Sequence, residues 1–185
     1  MGKGGEVRQR TAAESGKGLL ASRGFRRTTT TAHVIFSVGW LGVTIGDLTL
    51  GVTALVTDRP ELQHAILRVL VVLGELALIP LSLLAFLSGV TLGLITKWGL
   101  VRYWWVLVKL VLTTIALVLI PFSLVPGYAN FSAVVDATPP DQLADIGSSG
   151  VSALLGSGCV SLTMYTTCTV LSVFKPWGKT PLARP

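Results

Sequence analysis

The stretch KWGLVRYWWVLVKLVLT, residues 97–113, decides the fold. Lys97, Trp98, Arg102, Tyr103, Trp104 and Trp105 crowd together, and an apolar helix with Lys109 inside it follows. Amphipathic rings and cations mark the water–lipid boundary of a membrane span, so Trp98, Tyr103, Trp104 and Trp105 read as interfacial anchors. Lys109 is near enough to that belt for its long stem to snorkel to the headgroups. It also shares a helical stripe with Trp105, which leaves an inward pairing open.

Working outward, the same signature recurs along the chain. It is 51% hydrophobic and 13% charged, with a mean hydropathy of +0.69. Soluble domains carry about a quarter charged residues, so an integral membrane protein is expected. The spacing predicts four spans, at about 32–56, 65–92, 103–125 and 151–174, in a membrane domain covering 32–175. The expected fold is an all-α four-transmembrane-helix bundle. Residues 1–31 are polar, basic and glycine-rich and read as a disordered tail, and 176–185 read as a second tail. The first span is long enough to be a retained signal anchor. Pro80 predicts a kink in span 2, and Pro126 an end to span 3.

The formal charge of +6 is placed for topology, not for nucleic acid. Lys3, Arg8, Arg10, Lys17, Arg23, Arg26 and Arg27 precede the first span, Lys97 and Arg102 lie in the middle loop, and Lys175, Lys179 and Arg184 lie at the end. The 126–150 loop holds Asp136, Asp141 and Asp145 and no Lys or Arg. The positive-inside rule therefore puts both termini in the cytoplasm, in the cytoplasmic membrane, with the lipid bilayer as first partner. The Asn-Phe-Ser sequon at Asn130 falls on the opposite side, and Asp141 and Asp145 would sit one turn apart if Pro-Pro-Asp opened a short helix.

Turning each residue by about 100° gives the stripes that face inward. Span 1 aligns His33, Ser37, Trp40, Thr44, Asp47 and Gly51, with Gly42-x-x-x-Gly46 nearly opposite as a close-packing pattern. Span 2 aligns His64, Arg68, Glu75 and Ser82, and span 3 aligns Arg102, Trp105, Lys109 and Thr113. At 1.5 Å per residue, Asp47 lies about 14 Å, Arg68 about 5 Å and Glu75 about 15 Å below the outer boundary. An intramembrane network of Asp47, Arg68 and Glu75 is thus expected, either as a structural cluster or as a path for protons or cations. His33 and His64 lie at opposite faces, so they do not serve one haem. His64 has Asp58 and Glu61 nearby. Met164 and Cys168, four apart, are soft-ligand candidates that packing also explains. Cys159 and Cys168 point to opposite faces, so no thiolate metal centre and no resident cofactor is expected. Neither a phosphate loop, nor a His-Glu-x-x-His motif, nor a nucleophile elbow is present.

HVIFSVGWLG (33–42) and LSGVTLGLITKWGLVRYWWVLVKLVLT (87–113) resemble a domain-of-unknown-function family of small bacterial integral membrane proteins. The His followed by Gly-Trp-Leu-Gly is also similar to the first helix of copper-resistance-D-type membrane proteins. The resemblance covers most of 32–125. It implies membrane placement and no assigned activity; its copper branch implies copper transport, although the outer loops here contain no Met or Cys. The first functional reading is a small accessory or structural membrane protein with a membrane-protein partner or a second copy of itself. The alternatives are a proton-coupled or copper/ion transporter and a redox membrane subunit.

Overall fold

The computed structural model describes residues 22–183. Four helices are long and apolar enough to cross a membrane: α1 (Arg23–Val56), α2 (Pro60–Ile95), α3 (Trp104–Ala137) and α4 (Gly147–Phe174). No strand is formed among the described residues; one isolated bridge joins Tyr103 to Lys179. The all-α, four-span expectation is met.

Every helix exceeds its expected span, for local reasons. Ser22 caps α1 by accepting a hydrogen bond from the Phe25 N–H at 3.1 Å, so the basic run 23–31 forms the first turns of α1. The rest of the expected disordered tail, 1–21, lies outside the described residues. Pro126 does not end α3. A π turn at Ile120–Leu124 surrounds Pro121, with the Val125 N–H bonded to the Ile120 carbonyl, and the helix continues to Ala137. A second π turn, Gly74–Leu78, directly precedes Pro80, where the kink was expected. The wider turn displaces the carbonyl that a proline ring would otherwise strike, so proline redirects the helix instead of breaking it. The 126–150 loop shrinks to 138–146, Asn130 becomes an exposed helical residue, and Asp141 lies in a turn with no helix through Asp145. Asp145 instead accepts from the Gly147 N–H at 2.8 Å, at the start of α4.

These two redirections organise the bundle. α1 packs along both halves of α2 and against α4. The first half of α3 touches the second half of α2 and α4, whereas its second half, beyond the π turn, leans on the first half of α2 and largely leaves α4. Two apolar clusters result. One gathers Ala54, Leu67, Leu70, Tyr128, Phe131, Val135 and Leu154. The other gathers Trp40, Leu78, Ala85 and Ile120 with Met164 and Tyr165 against it. Buried Gln63 ties the connecting loop down at the first cluster: its Nε2 donates to the Ala54 and Ala144 carbonyls at 3.2 and 3.3 Å, and its Oε1 accepts from the Ala144 N–H at 2.7 Å.

α1 and α4 approach closest at Gly51 and Gly158. A Cβ on Gly51 would lie 2.8 Å from Leu154, and one on Gly158 would lie 2.6 Å from Leu48. Gly42 and Gly46, the pair the sequence pattern selects, have nothing within 4 Å. The spacing rule found a glycine pair, but the crossing uses one glycine from each helix.

Candidate functional site

The inward stripe of α1 is the best-read feature of the sequence. Trp40, Thr44, Asp47 and Gly51 are all buried, because a 3.6-residue period puts these positions on one face. Asp47 falls between the two apolar clusters. It is 6% exposed, and its Oδ1 has no hydrogen-bond partner. Thr44, Leu78, Leu124, Tyr128, Leu154, Ser157, Gly158 and Ser161 surround it.

The expected Asp47, Arg68 and Glu75 network is not assembled. Arg68 donates to Asp136 Oδ1 at 2.8 Å, in an exposed pair. The reason is the extension of α3: once Pro126 fails to end the helix, Asp136 is carried beside Arg68. Glu75 is exposed on the π turn of α2. The apolar residues around it, Val69, Val72, Leu76 and Leu83, are exposed too, so it faces the surroundings of the bundle and not Asp47.

A groove opens beside Asp47 where the second half of α3 leaves α4. Its volume is about 320 Å³. Trp40, Tyr128, Phe131 and Met164 form apolar walls, and Ser123, Ser152, Ser157 and Ser161 supply hydroxyls. Leu124, Tyr128, Ser157 and Ser161 also line the small pocket around Asp47, so the two spaces share a wall. Trp40 stacks edge-on against Tyr165 at 5.1 Å, and the buried Tyr165 hydroxyl has no hydrogen-bond partner. The rim residues Leu119 and Val160 are 49% and 64% exposed. Both lie within helices long and apolar enough to cross a membrane, so the groove opens at the side of the bundle.

The other end of the bundle is polar as well, but satisfied. His33 Nδ1 lies 3.0 Å from the Ala85 carbonyl and 3.1 Å from Ser88 Oγ. That tethers α1 to α2 over Gly89, where a Cβ would meet the ring at 3.0 Å. Lys109 turns inward, donating to Ser172 Oγ and lying 5.7 Å from the Trp105 ring. The snorkelling anchor is therefore corrected: Trp105 is itself buried, and α4 offers a hydroxyl within reach. Of the aromatic belt, Trp98, Tyr103 and Trp105 pack on one another at 5.2 and 5.3 Å, and Trp104 is the member that points outward.

Met164 packs in the Trp40 cluster. Cys159 and Cys168 are free thiols, the first exposed. His64 is 7% exposed, with an unpartnered Nε2. Among the described residues no three His, Cys, Asp or Glu side chains converge as a metal site. The serine wall of α4 and the groove were missed in the sequence, because span 4 has no segregated polar face. The signal that points to them is the paired prolines, Pro121 and Pro126. No family model, no curated protein and no solved structure matches this chain.

Proposed function

We propose that this chain is a small multi-pass protein of the cytoplasmic membrane, both termini cytoplasmic, whose bundle binds and carries a proton or small cation at Asp47. One observation carries the reading: a buried carboxyl with an oxygen that no protein group satisfies. Native proteins rarely leave such a group unpaired, and an intramembrane carboxyl is by default functional. The competing structural explanation needed Arg68 as counter-ion, and Arg68 is engaged by Asp136. The bias of Lys and Arg among the loops supports the orientation.

The test is proton flux in liposomes carrying an imposed pH gradient. Wild type should dissipate the gradient faster than empty vesicles. Asp47→Asn, reconstituted at equal level, should not. Wild-type flux no greater than that of empty vesicles would remove the proton reading, and the same null result with an imposed sodium or potassium gradient would remove the proposal.

A second reading, an accessory subunit, is supported by Glu75. A carboxylate exposed among Val69, Val72, Leu76 and Leu83 near the middle of a spanning helix costs about 2.5–3.5 kcal/mol in lipid unless a neighbour covers it. Co-purification in mild detergent tests this. A membrane-protein partner or second copy retained by wild type should be lost from Glu75→Leu at unchanged folded yield; equal retention by both would sink it.

A further inference from the structure

The groove between α3 and α4 is larger than a proton or a bare ion requires. We infer that it is a binding site for an amphipathic organic monocation, one that enters from the lipid and places its charge at Asp47. The inference rests on the proposed role of Asp47 as a cation-binding carboxyl and deepens it by naming the ligand class.

Four observations point the same way. The volume of about 320 Å³ is at the lower end of the range for small-molecule sites, roughly 300–1,000 Å³. Its walls are apolar and aromatic, from Trp40, Tyr128, Phe131 and Met164, which suits an apolar body and lets ring faces attract a cation. The polar groups on the shared wall are hydroxyls. Among the described residues neither the groove nor the adjoining pocket includes a Lys, Arg or His, and the one ionisable carboxyl of the pocket is Asp47, behind the wall that the two spaces share. Asp47 is more than nine-tenths buried as a residue, and one oxygen of its carboxyl is buried and unsatisfied. An anion would meet a like charge there. A neutral apolar molecule would leave the carboxylate unpaired in a dry site, which is costly. A ligand with one positive charge on an apolar body satisfies both. The lateral rim at Leu119 and Val160 means that such a molecule, already partitioned into the bilayer, need not cross the packed end of the bundle.

The experiment uses the full chain in lipid nanodiscs and radiolabelled benzyltrimethylammonium, with neopentylbenzene as its uncharged isostere. Wild type should retain the cation saturably, and neopentylbenzene should not displace it. Asp47→Asn should weaken retention at least about thirtyfold, as expected for losing one member of a buried charge pair. Gly156→Leu serves as a second variant, to separate loss of the carboxyl from altered folding. Gly156 lines the groove, and a Cβ added there would have nothing within 4 Å, so a larger side chain is accommodated at the groove wall without displacing Asp47, which lies in the adjoining pocket. It should also abolish retention. No saturable retention by wild type, equal retention by all three proteins, or full displacement by neopentylbenzene would each overturn the inference. Asp47-dependent proton flux without retention would overturn this inference alone; retention without flux would support the site and remove the proton reading.

Discussion

One end of the bundle and the seam around Asp47 treat polar groups differently. At the end carrying the 96–103 loop and the C-terminal segment, they are tied into bonds. The segment after α4 docks on the loop before α3: the Thr180 N–H donates to the Arg102 carbonyl at 2.9 Å, the Trp104 N–H to the Gly178 carbonyl at 3.5 Å, and the Thr180 hydroxyl to the Val101 carbonyl. Lys97 and Lys175 lie 5.1 and 5.6 Å from the Trp98 ring. His33 and Lys109 have partners on neighbouring helices. In the seam around Asp47, by contrast, the buried Asp47 Oδ1 has none. The difference teaches where the fold spends stability on order and where it withholds it. The first end clamps the chain, and the seam beside the groove leaves a buried carboxyl oxygen without a partner.

The strongest way to break this contrast is at the wall of the seam. Gly158 and Gly156 are neighbours on α4 with opposite surroundings. Gly158→Leu drives a side chain into Leu48, and overpacking of this kind costs about 3 kcal/mol. Gly156→Leu enters open space and should leave stability within about 0.5 kcal/mol. Thermal unfolding in detergent should separate the two clearly. Equal melting temperatures would mean that α1 and α4 do not cross at Gly158.

Next in size is Asp47 itself. A group that stabilises the bundle loses stability when removed. An unsatisfied buried carboxyl does the reverse, so Asp47→Leu should raise stability by about 1–3 kcal/mol while abolishing flux. At the clamped end the sign inverts. Thr180 is 4% exposed with its hydroxyl bonded, and Thr180→Val should cost about 1 kcal/mol. Opposite signs at the clamped end and in the seam, read by the same unfolding assay, sharpen the comparison; a destabilised Asp47→Leu would collapse it.

The reach of the sequence divides along the same line. The inward stripe of α1 was legible because helix periodicity fixes which side chains share a face, and the number of spans was legible because lipid demands long apolar runs. Three things were not. The continuation of α3 past Pro126 depends on a π turn, whose only mark in the sequence is the pair Pro121 and Pro126, and a proline read alone signals a helix end. The docking of the tail rests mainly on backbone groups, which every sequence carries alike. The partner of Arg68 was hidden by the same proline: with 126–150 read as loop, Asp136 belonged to solvent, and the acids at the right depth were Asp47 and Glu75. One misread proline thus moved a counter-ion from the helix end to the bundle interior.

The smallest effect gives the most direct check of that correction. Arg68 and Asp136 have side chains 55% and 62% exposed, and exposed ion pairs contribute about 0–1 kcal/mol. Arg68→Ala should therefore cost little, and a double-mutant cycle with Asp136→Ala should return a coupling below about 1 kcal/mol. The informative cycle pairs Arg68→Ala with Asp47→Asn. If Arg68 were the counter-ion of a buried Asp47, removing either would strand the other, and coupling would reach several kcal/mol, as it does for buried pairs. With Arg68 held by Asp136 on α3 and Asp47 in the small pocket that shares a wall with the groove, the two substitutions should add within about 0.5 kcal/mol. Strong coupling between Arg68 and Asp47 would restore the structural network and take the unsatisfied carboxyl, and the cation site built on it, away.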